Sequence, residues 1–100
     1  MSQHWYVVHT KARQELLAAG LLEQHLAAAV LLPQVRQRTC GQMRAAPLFP
    51  GYLFVQMDLE QVEASVVNNT PGVIRLVAFG GQPKPVPAKA MAALQARLAE

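Results

Sequence analysis

The sequence predicts an α+β fold in which a mostly antiparallel sheet of about four strands is flanked by helices. The first observation is the order of patterns along the chain: strand, helix, strand, hairpin, strand, helix, strand, helix. The second is residues 52–57, where aromatic, β-branched and aliphatic residues follow a proline-glycine corner, as is typical of a strand. One hundred residues provide for one domain with a single modest core.

The first strand and helix follow from composition and spacing. Aromatic and β-branched residues at 5–9 predict a strand. Leucines at helical spacing predict a helix over residues 11–29 that is capped by Thr10. Its buried positions are expected to be Leu16, Leu22 and Leu26. A second strand at 30–38 and a polar turn at 39–42 then predict a hairpin with a returning arm at 43–46.

A rigid corner precedes the strand at 52–57. Pro47 and Pro50 favour extended backbone, and Gly51 permits a left-handed turn. Because side chains alternate across a strand, Tyr52 and Phe54 share one face and the intervening apolar residues share the other. Both faces are largely apolar. One is therefore expected to cover the core, and the other to meet a helix or a partner.

The second half reads as helix, strand and helix. Asp58 is the expected cap of a helix at 59–68. A turn at 68–72 leads to a strand at 73–79, and the last helix is predicted at 87–99. The inward residues of these two helices are expected to be Leu59, Val62 and Val66, and Met91, Leu94 and Leu98.

Composition points away from an enzyme, a cofactor, a metal site and a membrane protein. Cys40 is the single cysteine, and the three histidines lack metal-ligand spacing. The acidic residues 58, 60 and 63 lie at a predicted helix start, where interaction with the helix dipole explains them. No apolar run approaches the ~20 residues that span a bilayer, which predicts a cytoplasmic protein. The net charge of +3 arises in the first half and permits nucleic-acid contact without requiring it.

Three stretches together carry a family resemblance. Trp5-Tyr6-Val7-Val8, the corner and strand at 47–58 and Asn69-Thr70-Pro71-Gly72-Val73 resemble the N-terminal domain of NusG-type transcription elongation factors. Phe79-Gly80 and the proline-rich segment after it are similar to the RfaH-like paralogues. The resemblance implies a monomeric domain over residues 1–100. The family normally adds a C-terminal KOW domain, which is expected to be absent from these 100 residues.

The resemblance implies that an apolar patch binds the coiled-coil clamp helices of the largest subunit of RNA polymerase. The matching positions are Val7, His9, Leu48, Phe49, Pro50, Tyr52, Phe54, Phe79, Met91 and Leu94. Phe49, Tyr52 and Phe54 are the preferred anchors, because aromatic residues beside a rigid corner make efficient hot spots. Several of the others, Met91 and Leu94 among them, are equally compatible with the core. His9 departs from the aromatic residue that is usual in the family.

Two further contacts are implied by the resemblance. One reaches the second-largest polymerase subunit through Glu63, Ala64, Ser65 and Val66, of which only Ser65 keeps the hydroxyl character of that branch. The other reaches the non-template DNA strand through Lys11, Arg13, Gln14, Asn69 and Thr70. Apolar residues or proline replace the basic residues of the RfaH-like branch at Ala12, Leu17, Leu21 and Pro71. Ordinary solvated residues are the alternative explanation for the DNA-contact positions.

Two more interpretations come from the residues alone. Arg36, Arg38 and Arg44 are predicted to decorate the hairpin and to reach upstream duplex DNA or stay solvated. The strand at 51–57 also resembles the aromatic strand with which RNA-recognition motifs stack on unpaired bases. Pro50, Leu53 and Met57 depart from that pattern. A single-stranded RNA-binding module is therefore the alternative to polymerase binding.

Overall fold

The computed structural model describes residues 3–26 and 28–98. Its strands are β1 (His4–Thr10), β2 (Ala29–Leu31), β3 (Gln34–Thr39), β4 (Gln42–Pro47), β5 (Tyr52–Met57), β6 (Val73–Leu76), β7 (Ala78–Phe79) and β8 (Gln82–Pro83). Its helices are α1 (Glu15–Leu26), α2 (Ala64–Asn68) and α3 (Ala88–Leu98).

A four-stranded sheet forms the centre of the fold. Its strand order is β2-β5-β1-β6, and each neighbouring pair is antiparallel. The prediction of an α+β fold with about four mostly antiparallel strands is therefore confirmed. Two smaller hairpins, β3–β4 and β7–β8, lie outside this sheet. The strand predicted at 52–57 coincides with β5.

One face of the sheet carries the core, and α1 and α2 pack on it. The alternate residues Tyr6 and Val8 of β1 and Leu53 and Val55 of β5 are buried there. The helices contribute small or apolar side chains, which are Ala18, Ala19 and Leu22 of α1 and Val67 of α2. We call this the core face, and the opposite one the outer face.

The third helix lies at one end of the outer face. The Val86 N–H donates to the carbonyl oxygen of Trp5 at 2.7 Å, which ties the segment before α3 to β1. Met91 of α3 is buried but does not belong to the core cluster. It lines a small cavity with Trp5 and Gln56, both residues of the outer face. The prediction that Met91 is buried is confirmed, although on the outer side of the sheet.

The first helix begins later than predicted. Lys11 donates its N–H to the Gly72 carbonyl oxygen at 2.8 Å, and Arg13 has a left-handed backbone with φ of 63°. These constraints exclude helix before Glu15, so Thr10 ends β1 instead of capping α1. The predicted end at 29 is also wrong, because Ala29 begins β2, and residue 27 lies outside the described residues.

The buried side of α1 also differs from the prediction. Leu22 is buried and Leu26 packs against the core, but Leu16 is 69% exposed. Alanines at 18 and 19 face the sheet instead. Their small side chains let the helix approach the strands closely, while the exposed leucines occupy the opposite side of the helix.

The second helix is shorter than the predicted span of 59–68. The Asp58 carboxylate accepts the Glu60 N–H at 2.9 Å, which holds a separate turn, and α2 begins only at Ala64. Leu59 and Val62 pack against the core from that turn, as expected. Val66 was predicted to face inward, but it is exposed, and Val67 is the buried residue.

Two predicted strands are divided in the structure. The strand expected at 30–38 becomes β2 and β3, which are separated by Leu32 and the buried Pro33, because proline has no N–H for the ladder. The strand expected at 73–79 becomes β6 and β7. The last helix was predicted with nearly correct bounds, although its predicted end at 99 lies outside the described residues.

Candidate functional site

The register of the sheet arranges the outer face in three cross-strand rows. Directly opposed residues of antiparallel strands lie side by side on the same face. The first row is Arg75, His9 and Tyr52, the second is Val7, Phe54 and Leu31, and the third is Trp5, Gln56 and Ala29. The first row is therefore polar and contains a cation, and the second row is apolar. The third row lies at the end of the face that borders α3.

The first two rows are the open part of the outer face. The third row borders α3 and its preceding segment at Trp5. By contrast, Tyr52 is 40% exposed, and Val7, His9 and Phe54 are each partly exposed. These side chains are therefore not fully covered by the part of the chain that the structure describes. The first two rows are thus a candidate contact surface.

Two aromatic contacts give this surface a fixed shape. The rings of His9 and Tyr52 stack with their centroids 4.8 Å apart and an angle of 14° between their planes. The rings of Phe49 and Phe54 meet edge to face at 6.1 Å and 80°. Both geometries are favourable for aromatic pairs. Because each exposed ring rests on a neighbour, little side-chain freedom remains to be lost when a partner binds.

The proline-glycine corner holds Phe49 beside the sheet. The Tyr52 N–H donates to the Phe49 carbonyl oxygen at 3.0 Å, which closes a turn with Pro50 and Gly51 at its centre. Gly51 has φ of +84°, a left-handed conformation that glycine adopts without the strain of a side chain. Proline followed by glycine at these positions is typical of a type II turn. The predicted rigid corner is confirmed.

A buried carboxylate fixes this corner from the core side. Glu15, at the start of α1, accepts the Gly51 N–H on its Oε2 atom at 2.9 Å. The carbonyl oxygen of Gly51 accepts the Thr10 N–H at 2.8 Å. Leu48 donates its N–H to the carbonyl oxygen of Pro33 at 2.7 Å. The aromatic corner is therefore tied to β1, to α1 and to the segment after β2.

The structure brings together most of the residues expected to form the apolar patch. Val7, His9, Tyr52 and Phe54 lie in the open rows, and Leu48, Phe49 and Pro50 form the adjoining corner. The N–H of Val77 donates to the carbonyl oxygen of Val7 at 2.8 Å, and Phe79 follows two residues later on the β7–β8 hairpin, 66% exposed.

The α3 residues of that group are less accessible. Leu94 is partly buried, and Met91 is only 2% exposed. Met91 therefore supports the position of α3, and its side chain offers almost no surface to a partner.

The four residues matched to the second contact lie at the start of α2. Glu63 occupies the N-cap position, and the Ser65 hydroxyl donates to its carboxylate at 3.4 Å. Ala64 packs against the core, whereas Val66 is 45% exposed. Because α2 packs on the core face, this group and the open rows lie on opposite sides of the sheet.

The third group is assembled from two segments next to α1. The sequence predicts Lys11, Arg13 and Gln14 at the start of the first helix. In the structure they lie instead in the turn before α1. The Lys11–Gly72 hydrogen bond brings this turn against the loop that contains Asn69 and Thr70. The Lys11 and Arg13 side chains are exposed, and so is Asn69.

Thr70 has a structural role within this group. Its hydroxyl donates to the Val66 carbonyl oxygen at 3.0 Å, and the residue is 7% exposed. It therefore orders the loop, and its side chain is not presented to a ligand.

Sequence reasoning missed Arg75 and Leu31 as neighbours of the aromatic residues. A β-bulge between His9 and Thr10 sets the register of β6, so that Val73 pairs with Thr10 and Arg75 with His9. Ile74 and Arg75 are consequently both exposed, while Val73 and Leu76 are buried. Simple alternation along β6 would have put Arg75 on the same side as the buried Val73.

Within the described residues, no group of three His, Cys, Asp or Glu side chains is placed to hold a metal ion. None of the helices within 3–26 and 28–98 has the length and apolarity to cross a bilayer. What the arrangement offers is a preorganised contact surface of aromatic and aliphatic side chains with one cationic end.

Comparison with known proteins identifies the family. A family model described as NusG, transcription termination factor, matches residues 3–95. The transcription termination/antitermination protein NusG of Thermus thermophilus is 36% identical over an aligned length of 104, and the alignment covers 86% of this chain and 56% of that protein. The protein of the same name from Bacillus subtilis is 30% identical, and the match covers 87% of this chain and 56% of that protein.

A solved structure shows the same architecture. It is described as domain interaction in Thermotoga maritima NusG, and it superposes with a TM-score of 0.68 at 28% identity. The match covers 91% of this chain and 54% of that one. The chain thus spans little more than half the length of these relatives. Because the family model covers nearly all of the sequence, the chain belongs to the NusG family.

Proposed function

We propose that this chain is the RNA polymerase-binding domain of a bacterial transcription elongation and antitermination factor that acts in the cytoplasm. Its open outer face binds the coiled-coil clamp helices of the largest polymerase subunit. The observation that carries the proposal is the exposure of Phe49 and Tyr52 beside a rigid corner. The relatives named termination/antitermination proteins support a role in transcription.

The chemistry of the open rows suits a protein helix. Aromatic anchors in a well-packed setting supply most of the binding energy of typical interfaces. Tyr52 and Phe54 are already held by His9 and Phe49, so binding costs little ordering entropy. A partner helix that runs along β1 and β5 can place an aliphatic side chain on the apolar second row, between the corner and α3.

A second contact gives the domain its effect on elongation. The residues at the start of α2 face away from the open rows, and we assign them to the second-largest subunit on the other side of the cleft. A domain that bridges both sides of the cleft binds the closed polymerase more tightly than the open, paused form. This difference in affinity shifts the population toward processive elongation without any covalent chemistry.

The DNA contact is a further part of the proposal. Lys11, Arg13 and Gln14 and the loop at Asn69 lie together beside α1, where two exposed cations can meet the non-template strand. Within the family, we place the chain nearest the RfaH-like paralogues on the basis of its corner sequence and Phe79-Gly80. The replacements at Leu17 and Leu21 imply that any preferred DNA sequence differs from that of the branch.

A single-stranded RNA-binding module remains the second candidate, because Tyr52 and Phe54 both lie on an open sheet face. Two observations favour protein binding. One face of the Tyr52 ring is already covered by His9, and Phe49 packs on Phe54. Moreover, Arg75 is the one cation in the two open rows, whereas a polyanion requires several.

The decisive experiment measures capture of core RNA polymerase by the immobilised chain. Capture is expected without nucleic acid, and an excess of a clamp-helix peptide should abolish it. A scrambled peptide of the same composition is the control. Capture that persists in excess peptide would remove the clamp helices as the target. Tight binding of unstructured RNA together with no polymerase capture would favour the second candidate.

A further inference from the structure

We propose that Arg75 recognises a carboxylate on the partner's helix, one helical turn from the apolar side chain that contacts Val7 and Phe54. This inference rests on the proposed function and specifies the partner chemistry of the same surface. It assigns a specificity role to the polar end of the open rows, which otherwise resembles an ordinary solvated edge.

The first step is the position of Arg75. It is the Cα partner of His9, which is in turn the partner of Tyr52, so the three residues form one row across three strands. The bulge between His9 and Thr10 is what places Arg75 in this row. Arg75 is exposed and forms no ion pair with any of the described residues. Its charge therefore lies at the rim of the aromatic surface, uncompensated by the part of the chain that the structure describes.

The second step is the lack of negative charge on this side of the described sheet. The first two rows contain no aspartate or glutamate. Glu15 reaches the same corner, but from the core face, where it is 7% exposed and accepts the Gly51 N–H. A partner that covers the open rows must therefore supply the counter-charge or leave Arg75 unpaired at the interface. Complementary charge at a rim favours the correct partner and speeds association.

The spacing between the first and second rows is close to the spacing of side chains one turn apart on a helix. Alternate residues on one strand face are about 6.6–6.8 Å apart, since each residue advances 3.3–3.4 Å. Side chains three or four positions apart on a helix lie about 5–6 Å apart. A helix that runs along β1 and β5 thus contacts the first and second rows with residues one turn apart. The expected motif is an aspartate or glutamate three or four positions from a large aliphatic residue.

The test measures the affinity of the chain for core RNA polymerase without DNA over a salt series. Arg75→Glu should weaken binding about tenfold or more and reduce its dependence on salt. Arg75→Gln should have an intermediate effect, and Arg75→Lys should retain most of the affinity. Lys89→Glu is the control, because Lys89 is an exposed cation on α3 outside the two open rows, and it should bind like the wild type.

Charge reversal on the polymerase identifies the carboxylate. Each aspartate and glutamate of the clamp helices is changed to lysine in turn, and each variant is paired with wild-type chain and with Arg75→Glu. One reversal should weaken the wild-type complex and restore the Arg75→Glu complex. Unchanged binding of Arg75→Glu, or the absence of any restoring reversal, overturns the inference.

Phe54→Ala distinguishes failure of the proposed function from failure of the role of Arg75 alone. If Phe54→Ala abolishes binding while Arg75→Glu leaves it intact, the proposed function stands and only the role of Arg75 is lost. If the wild-type chain does not bind core polymerase at all, the proposed function fails, and this inference fails with it.

Discussion

Glu15 and Gly51 join the two sides of the molecule through one hydrogen bond. The carboxylate begins α1 on the core face, and the glycine N–H belongs to the corner that holds Phe49 beside the outer face. The bond is 2.9 Å long and partly buried. The position of the aromatic corner therefore depends on the packing of a helix on the opposite side of the sheet.

Glu15→Ala is expected to destabilise the fold by about 1–3 kcal/mol, because the Gly51 N–H loses its acceptor in a partly buried site. Glu15→Gln keeps an acceptor oxygen and should lose less than half as much. Urea unfolding of the three proteins measures the difference. Equal stability of Glu15→Ala and wild type would show that the bond does not support the corner.

Phe49→Ala and Tyr52→Ala should each weaken polymerase binding by about 2 kcal/mol or more, since buried aromatic anchors dominate interface energies. Both side chains are 40% exposed in the free chain, so the variants should stay folded. Titration with core polymerase and circular dichroism provide the two measurements. Val35→Ala, on the β3–β4 hairpin and equally exposed at 40%, is the control. Normal affinity of both folded aromatic variants contradicts the assignment of the anchor.

The hairpin arginines should contribute unequally to contact with duplex DNA. Arg36 and Arg38 pair with Ala45 and Met43 on one face of the hairpin, whereas Arg44 pairs with Gln37 on the other. The double variant Arg36→Ala/Arg38→Ala should lower affinity for upstream DNA and reduce the salt slope by about one per lost phosphate contact. Arg44→Ala should have the smaller effect. A change in sequence preference without a change in salt dependence would refute a phosphate contact.

Photocrosslinkers at positions 11 and 69 should capture the non-template strand in a paused elongation complex. Lys11 and Asn69 are both exposed and are brought near each other by the Lys11–Gly72 hydrogen bond. Position 70 is unsuitable, because the Thr70 hydroxyl is bonded internally. A crosslinker at the exposed Lys89 on α3 is the control. Crosslinks confined to polymerase subunits would remove the DNA role.

Stability should fall at high pH because of Tyr6. Burial, and secondly the negative charge of Asp58, raise the pKa of the Tyr6 phenol above its usual value of 10.0. The folded state thus favours the neutral phenol. This contribution is complete below pH 10.0 and is lost as the pH rises through the higher pKa of the folded state.

The measurement is the free energy of unfolding between neutral pH and pH 11. Tyr6→Phe should lose less stability over the alkaline range than the wild type. Tyr52→Phe, which changes an exposed phenol, should follow the wild type. Parallel alkaline loss in Tyr6→Phe and wild type would show that Tyr6 does not cause it.

The sequence alone determined the fold class, the β5 strand, the rigid corner and the separation of Tyr52 and Phe54 from the buried residues. These features depend on local chemistry: alternation along a strand, the fixed φ of proline and the freedom of glycine. The same local signals identified the family. They failed at the start of α1, where a long-range hydrogen bond from Lys11 to Gly72 prevents helix formation.

Only the tertiary structure decided which residues lie side by side on the outer face and which part of that face α3 borders. The register of β1 with β5 and β6, including a bulge, places Arg75 beside His9 and Tyr52. The packing of α3 near Trp5 buries Met91 and leaves Phe54 partly open. Register and helix placement arise from the balance of many contacts distant in the sequence, so no local pattern specifies them. The polar and apolar ends of the surface therefore became visible only once the strands were paired.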